Sequence, residues 1–533
     1  MEQQNTPNQN WDPTIWQAVM ETPSEPMPPL QPPQPQAPFF SIAGKELIFG
    51  LVILVTGMLL SNSVLFGGLN LGFAIFSGAS ILCAVIYLLV SGCRFSLYSG
   101  SLLGLSLVIC AGFARTDDGF VKFVMFCFLL VSTNLGLCLL AGQNRRSPNG
   151  VTSLLDAPRA AFALSWGKLP DTFRGVTHAV RHSGNAGKKG SAVLLGLLVA
   201  VPILAILIPL LMQADAAFEA LLDMLPEWDI TELVVTVIFG AYAVCWLFCR
   251  ALALRHAPKA APVVQSSVKG ISALTVNTVL IAVAFVYVVY LISQLAYFSG
   301  GLMGILPEGY TTAEYARRGF FEMAWLCAIN LSVITLAVGL VKKEGTAPLS
   351  TRLICLFIGI VTLFLVVTAS AKMWLYIGTY GLTRLRVLTE VIMVFLGITT
   401  LLVTVWLFVP RLAYMKAILL VGLVMGAAVF WADVDTVVAR YNVTAYQSGK
   451  LETVDVDYLY FDLGSGAIPY IQMLEQDSDP QVAENAKSVM KLLEERKRRE
   501  EGDTNDSTDE PKEKKDDYRE WNYVNYVAEQ ILN

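Results

Sequence analysis

The chain has 533 residues, of which 55% are hydrophobic and 15% are charged, and its formal net charge is −5. With a mean hydropathy of +0.56, this composition excludes an ordinary soluble globular protein and indicates a protein built mainly from membrane-spanning segments. A small acidic net charge gives no reason to expect a nucleic-acid partner, and we predict none.

The first part of the chain is polar and rich in proline. Residues 1–40 contain ten of the 24 prolines. Such a composition favours an extended chain without a packed core. We therefore expect residues 1–40 to form a disordered tail ahead of the first apolar stretch.

Eleven apolar stretches follow, most of them about 20 residues long, which is the length that a helix needs to cross ~30 Å of hydrocarbon. They predict an all-α fold, a polytopic transmembrane helical bundle of about 11 spans that occupies residues 41–433. The predicted spans are 45–62, 69–91, 97–114, 119–141, 191–213, 231–253, 271–298, 320–341, 353–375, 387–409 and 415–433.

The charges of the connecting loops predict how the bundle is oriented. Residues 143–190 carry eight Lys or Arg residues against two acidic ones, whereas residues 214–232 carry six acidic residues and no basic one. Because cytoplasmic loops retain Lys and Arg, the first loop is expected inside and the second outside. Alternation then places the N-terminus in the cytoplasm and the C-terminal hundred residues outside.

The basic loop also contains apolar residues, among them Trp166 and Phe173. Two interpretations stay open for this part of residues 143–190. It could form an amphipathic helix that lies on the anionic inner leaflet, or it could be an ordinary cytoplasmic connection.

The residues after the last span form an acidic extracytoplasmic tail that is partly helical. Residues 434–533 contain 12 basic and 22 acidic residues. Within an extracytoplasmic helical region at 434–500, Asp479 and Pro480 predict the start of a helix. The run 501–517 reads as a charged linker, and the aromatic pattern of 518–533 predicts a C-terminal helix, which could fold back on the bundle.

Two segments place charged side chains at the predicted outer ends of spans. Charges in membrane helices are costly, so such residues usually pair with each other or serve a site. We expect a paired cluster with a small positive surplus that could hold a phosphate or carboxylate group. The predicted cluster consists of Glu314, Arg317, Arg318, Glu322, Lys372, Arg384, Arg386 and Glu390.

Three stretches carry a family resemblance: EYARRGFFE at 314–322, KMWLYIGTYGLTRLR at 372–386 and VDVDYLYFDLGSGAIPYI at 454–471. Together they resemble the bacterial domain-of-unknown-function family 4173, which is related to family 4153. The resemblance implies a bacterial multi-pass membrane protein, which we expect in the cytoplasmic membrane. It implies no catalytic residues.

The sequence supports two functional hypotheses of different classes. The leading one is a transporter or a lipid- or anion-handling protein with its site in the charged cluster at the outer face. The alternative is a non-enzymatic sensor or scaffold that acts through the tail and the cytoplasmic loop. The expected partners are membrane lipids, an anionic small molecule or lipid headgroup, and a protein partner for the C-terminal tail.

A third hypothesis, an intramembrane transferase, lacks a recognisable nucleophile or acid–base constellation in the sequence. No zinc motif or dinucleotide fingerprint occurs either, so the question of enzymatic activity stays open, while we predict no cofactor and no metal. Four amides within the apolar spans bear on the choice between the two hypotheses. They could line a polar path through the bundle or form hydrogen bonds between helices. These residues are Asn134, Asn277, Gln294 and Asn330.

Overall fold

The structure is a computed structural model of the chain. The predicted N-terminal tail, most of the predicted fifth span at 191–213 and most of the predicted linker lie outside the residues that it describes. Those residues are 42, 44–182, 203, 207, 210, 211, 230–257, 259, 270–302, 320–341, 346–502 and 518–532.

The described residues are almost entirely helical, and an isolated β-bridge joins Ile271 to Val341. This confirms the all-α prediction. In chain order the helices are α1 Gly44–Gly67, α2 Leu71–Val90, α3 Leu97–Gly112, α4 Gly119–Leu140, α5 Leu169–His182, α6 Ile230–His256, α7 Ala273–Leu302, α8 Phe320–Leu340, α9 Leu349–Tyr380, α10 Arg384–Phe408, α11 Tyr414–Ala432, α12 Val434–Gln447, α13 Val456–Phe461, α14 Ile468–Leu474, α15 Pro480–Gly502 and α16 Tyr523–Leu532.

Within the described part of the chain, nine helices are long and apolar enough to cross a membrane: α1, α2, α4 and α6 to α11. All nine coincide with predicted spans. The predicted span 97–114 is a shorter apolar helix, α3, of 16 residues. The polytopic helical bundle expected from the sequence is therefore confirmed.

One end of the bundle, which we call the tail face, gathers the connections α1–α2, α3–α4 and α9–α10 and the start of α6. Asn62 near the end of α1 donates a hydrogen bond of 2.7 Å to Glu232 at the start of α6. Asp118 before α4 forms an ion pair of 2.6 Å with Arg384 at the start of α10. These are connections that alternation of the spans predicts on one side.

The opposite end, which we call the loop face, gathers the start of α1, the α4–α5 connection and the end of α6. Glu46 on α1 lies 3.6 Å from the His256 imidazole at the end of α6. The Gln143 amide after α4 donates to the Ala257 carbonyl at 2.9 Å. The pairing of loops therefore agrees with the predicted alternation, while the assignment of either face to the cytoplasm stays a prediction.

The helices form two packed groups with separate buried cores. One core joins α1 to α4, α6 and α11, and the other joins α7 to α10 with the tail helices. Small residues permit the closest approach in the first group, because a Cβ at Gly57 of α1 would come within 2.7 Å of Val244 of α6. Helix α11 packs on α3 and α4 on one side and on α10 on the other, so it links the groups.

The tail after α11 is an ordered part of this fold. Buried residues of α12 to α15, such as Val438, Ile471 and Ala486, belong to the same core as α9 and α10. Helix α15 begins at Pro480 as predicted, and the Asp479 carboxylate accepts from the Gln481 N–H at 2.9 Å. Helix α15 buries Ala486 and Val489, whereas Leu492 is exposed.

Candidate functional site

Arg384 is placed by the turn that joins α9 to α10. Helix α9 ends at Tyr380, and Gly381 adopts a left-handed conformation with φ of 73°, which favours glycine. Thr383 then caps α10, its side chain accepting from the Arg386 N–H. Arg384, as the first residue of α10, therefore stands at the tail face with its side chain directed at the surrounding loops.

The guanidinium of Arg384 forms hydrogen bonds and ion pairs with separate parts of the chain. Its Nε and Nη2 donate to the two carboxylate oxygens of Asp435 at 2.7 and 2.9 Å, and Nη1 lies 2.6 Å from Asp118 Oδ2. Nη2 also donates to the Asp462 carbonyl at 2.8 Å. Arg384 thus joins the α9–α10 turn, the α3–α4 turn and the tail.

The surroundings of Arg384 are rich in carboxylates. A cleft of about 160 Å³ lies there, lined by Asp117, Asp118, Asp433 and Asp435 and by residues 461–466. Within the described residues, no group of three or more His, Cys, Asp or Glu side chains is arranged to hold a metal ion. The local chemistry is therefore that of an arginine enclosed by acidic groups.

Burial controls the acidity of the carboxylates at the start of the tail. It raises the pKa of Asp435 to about 6, with Asp433 and Asp118 adding to the rise and Arg384 opposing it. Burial also raises the pKa of Asp433, against the hydrogen bond from Thr436. The two carboxyl groups therefore hold their protons more tightly than in the unfolded chain.

Basic side chains on the neighbouring turn add to the network. Arg115 Nε donates to the Trp431 carbonyl at 2.8 Å, and its guanidinium lies 4.7 Å from the centre of the Tyr523 ring. Lys122 donates to Asn70 at 2.6 Å and pairs with Asp117 at 3.3 Å. The α3–α4 turn is thereby fixed to α2, α11 and α16.

A second connection between tail and bundle uses an amide. The Asn442 side chain of α12 accepts from the Leu382 N–H at 2.7 Å and donates to the Leu382 carbonyl at 2.8 Å. It thus satisfies both backbone groups of a residue in the α9–α10 turn. A Cβ at Gly381 would lie 2.7 Å from Asn442 Oδ1, so this contact also requires glycine.

The C-terminal residues 518–532, which we call the C-terminal arm, fold back on the tail face. Arg519 pairs with Glu232 and donates to Asn62 at 2.8 Å. The Tyr523 N–H donates to the Ala114 carbonyl at 2.9 Å. Because Val524 lines the carboxylate cleft, the arm forms one of its walls.

The predicted charged cluster is only partly within the described residues. Glu314, Arg317 and Arg318 lie outside them. Among the described members, Arg384 pairs with Asp118 and Asp435, two carboxylates that were not among the predicted eight. Whether all eight residues form one cluster stays a prediction.

The other described members of the predicted cluster are Arg386, Glu322, Lys372 and Glu390. Arg386 donates to the Tyr380 carbonyl at 3.0 Å and to the Gly381 carbonyl, and its guanidinium lies 4.2 Å from the centre of the Tyr376 ring. These contacts hold the end of α9 against the start of α10. Glu322 near the start of α8 is exposed, and Lys372 and Glu390 are half-buried on α9 and α10.

Three of the four amides in the apolar spans form hydrogen bonds between helices. The Asn134 carbonyl oxygen accepts from Arg250, whose guanidinium is buried between α4 and α6. Asn330 accepts from the Tyr287 hydroxyl at 2.6 Å and donates to Thr362 at 3.0 Å. Asn277 donates to Ser350 and accepts from Thr351. The side chain of Gln294 lies outside the described residues.

A match to the family Domain of unknown function (DUF4153) covers residues 103–474, well over half of the chain. The chain belongs to the DUF4153 family. The resemblance expected from the sequence is thereby confirmed for family 4153, while the designation 4173 stays a prediction. Neither a curated protein nor a solved structure matches the chain.

The DUF4153 match includes the centre of the candidate site. Asp118, Arg384, Asp435 and Asp462 all lie within residues 103–474, whereas α1, α2 and the C-terminal arm lie outside them. The sequence identified Arg384 through its position between two spans. It did not identify Asp118 and Asp435, although acidic residues that border spans on the same predicted side were an available signal.

Proposed function

We propose that this DUF4153 protein is a membrane-anchored sensor or scaffold whose folded tail is coupled to the spanning helices. The observation that carries the proposal is the threefold attachment of Arg384 to Asp118, Asp435 and the Asp462 carbonyl. One side chain thus joins a spanning helix, a loop of the other helix group and the tail. A displacement of the tail must therefore change the contacts of both helix groups.

The hydrogen bonds and ion pairs that Arg384 and the buried amides already form favour this proposal over a carrier with a site at Arg384. Four donor–acceptor contacts occupy that guanidinium, so a passing anion would have to displace a carboxylate. In the spans, Asn134, Asn277 and Asn330 are engaged between helices. Such bonds fix the helices relative to one another.

The tail face is proposed to lie outside the cell and the loop face in the cytoplasm of a bacterium, with the protein in the cytoplasmic membrane. The basic residues Arg145, Arg146 and Arg255 stand at the loop face, in agreement with the positive-inside rule. A cysteine introduced at exposed Ser448 of the tail should react with a membrane-impermeant maleimide in intact cells. Protection of that cysteine until the cells are lysed would reverse the orientation.

Hydrogen–deuterium exchange tests whether the tail and the helices are coupled. Asp435→Ala should increase deuterium uptake in both the α3–α4 turn at 113–118 and the α9–α10 turn at 381–384, because Arg384 loses one of the two carboxylates that hold these turns. Asp457→Ala is the matched control, since Asp457 is an exposed carboxylate of the same tail. Uptake that rises only within the tail, or equally in both variants, would contradict the proposal.

A second candidate function, anion or lipid handling, rests on half-buried charges inside the bundle. Lys372 lies eight residues before the end of α9 and Glu390 six residues after the start of α10. At 1.5 Å per residue, both stand about 9–12 Å below the tail face. Ionisable groups at such a depth commonly mark a site.

Proteoliposomes distinguish the two functions. A carrier should take up organic phosphates or carboxylates saturably, and Lys372→Gln should abolish that uptake while Lys450→Gln, at an exposed tail position, should not. The sensor or scaffold proposal expects wild-type uptake equal to that of protein-free vesicles. Saturable uptake that depends on Lys372 would replace the first proposal with the second.

A further inference from the structure

Residues 156–167 form a helical segment whose first residue is anchored at the loop face. The side chain of Asp156 is fully buried and accepts from the backbone N–H groups of Arg145 and Arg146 at 3.1 and 3.0 Å. Arg159 donates to the Gln143 carbonyl at 2.8 Å. The start of the segment is therefore fixed beside the end of α4.

From this anchor the segment runs along α6 into the depth of the bundle. The Trp246 indole donates to the Ala161 carbonyl at 2.8 Å, and the rings of Trp166 and Tyr242 are 5.4 Å apart. Tyr242 lies 14 residues before the end of α6 at His256. That is about 21 Å along the helix axis, so Trp166 is level with the middle of a predicted span.

The chain turns at Gly167 and Lys168 and then continues as α5. Lys168 forms an ion pair of 3.1 Å with Asp171, so the two charges at the turn offset each other. Thr172 of α5 contacts Cys249, seven residues before the end of α6, which lies nearer to the loop face than Tyr242 does. The chain thus runs from the loop face along α6 to the level of Tyr242 and then begins to return towards the loop face.

The backbone of this segment suits a membrane environment. Its residues are helical throughout, with a π-helical turn at Arg159–Ala163 between two short α-helical pieces. Non-helical backbone is not tolerated against lipid, whereas a helical re-entrant segment packed on a spanning helix is. The run 156–167 is too short to cross the bilayer by itself.

The outer surface of the segment and of α5 combines apolar and basic groups. Phe162, Trp166 and Phe173 are 54%, 44% and 52% exposed. The Arg174 side chain is 73% exposed and lies 4.0 Å from Asp171. A large apolar surface beside a basic side chain is typical of segments that bind the boundary between acyl chains and anionic headgroups.

We propose that residues 156–182 form a re-entrant wedge that inserts into the leaflet at the loop face and seats an anionic phospholipid. The acyl chains pack on Phe162, Trp166 and Phe173, and the headgroup phosphate contacts Arg174. Because α5 begins inside the leaflet and leads out of it, apolar and charged contacts to one lipid come from adjacent turns. This inference concerns the face opposite the tail and does not depend on the proposed function.

The depth of the wedge is measurable by tryptophan quenching. The full chain is reconstituted in vesicles of phosphatidylcholine whose acyl chains are brominated midway along their length. Since the chain has 10 tryptophans, the Trp166 contribution is the difference between wild type and Trp166→Phe. We expect strong quenching of this difference signal by the brominated chains and little by aqueous iodide. The opposite pattern, with iodide the stronger quencher, would overturn the wedge.

The preference for anionic lipid is tested by energy transfer. Dansyl-labelled phosphatidylglycerol or phosphatidylcholine is added to vesicles that contain wild type, Arg174→Gln or the control Arg440→Gln, an exposed arginine of the tail. The Trp166-dependent transfer should favour phosphatidylglycerol. Arg174→Gln should reduce that preference about fivefold, which corresponds to ~1 kcal/mol for one basic residue near an anionic surface. An equal preference in Arg174→Gln and Arg440→Gln would refute the headgroup contact.

A further variant provides an independent measurement in case Trp166→Phe misfolds. Phe173→Trp adds a fluorophore on α5 without removing the Trp166 ring from Tyr242. Its added emission should be quenched more strongly by lipids brominated near the headgroup than by lipids brominated near the chain end, because α5 leads towards the loop face. Equal insensitivity to both lipids would place α5 in water and overturn the proposal.

Discussion

Replacing Arg384 by glutamine should destabilise the protein more than any other single change at the tail face. The side chains of Asp118 and Asp435 are only 8% and 10% exposed, and Arg384 supplies the positive charge that faces both. Removing one partner of a buried ion pair costs about 3–5 kcal/mol, because the remaining charge stays buried without compensation. The loss should therefore reach that range at pH 7.5.

Thermal unfolding in detergent measures this loss. An unfolding entropy of about 2.1 cal/mol/K per residue gives ~1.1 kcal/mol/K for a chain of this length. Arg384→Gln should thus lower the Tm by about 3–5 °C at pH 7.5. The decrease in Tm should be smaller at pH 5, because Asp435 is then protonated and carries no charge for the arginine to neutralise.

Two further variants decide whether charge pairing is the cause. Arg384→Gln combined with Asp118→Asn and Asp435→Asn should recover at least half of the loss, because no buried charge is then left alone. Arg440→Gln, at an exposed position of α12, should change the Tm by less than about 1 °C. A wild-type Tm in Arg384→Gln, or no recovery in the triple variant, would show that these ion pairs do not stabilise the tail face.

Three more predictions concern the same face. The pKa of Asp435 in the folded protein is about 6, against an ordinary pKa of 3.8 for an aspartate. Its contribution to stability is therefore full below about pH 4 and is lost as the pH rises through 6. Over that range the free energy of unfolding should fall by up to about 3 kcal/mol in wild type and by less in Asp435→Asn. Gly381→Ala should cost about 1–3 kcal/mol by thermal unfolding, since alanine is strained at φ of 73° and crowds Asn442; an unchanged Tm would contradict the close contact. Arg519→Gln should make the C-terminal arm more sensitive to limited proteolysis, and equal cleavage of wild type and variant would show that its contacts with Glu232 and Asn62 do not hold the arm.

The spanning helices were predictable because each one is an apolar run of sufficient length, a property of adjacent residues. The pairing of loops at each face was predictable because antiparallel spans alternate and Lys and Arg mark one side. The C-terminal helices were predictable from local signals as well, such as Asp479 and Pro480 at the start of α15.

The sequence could place acidic residues on the same side as Arg384, but it could not show which of them contact it, because that depends on tertiary packing. Asp435 lies 51 residues away in the chain, and Asp118 lies in the other helix group. The contact of α1 with α6 was equally hidden, because Gly57 and Gly240, which bring these helices together, have no second glycine four residues away. The helical segment at 156–167 was not predicted as a span because it is shorter than a span.

A distance measurement between two spin labels tests whether the tail docks on the bundle. Labels introduced as genetically encoded amino acids at exposed Lys450 of the tail and Val64 of α1 leave the native cysteines unchanged. In reconstituted wild type we expect one narrow distance distribution, which should broaden in Arg384→Gln. A broad distribution in wild type would contradict this docking, because the tail would then move independently of the helices.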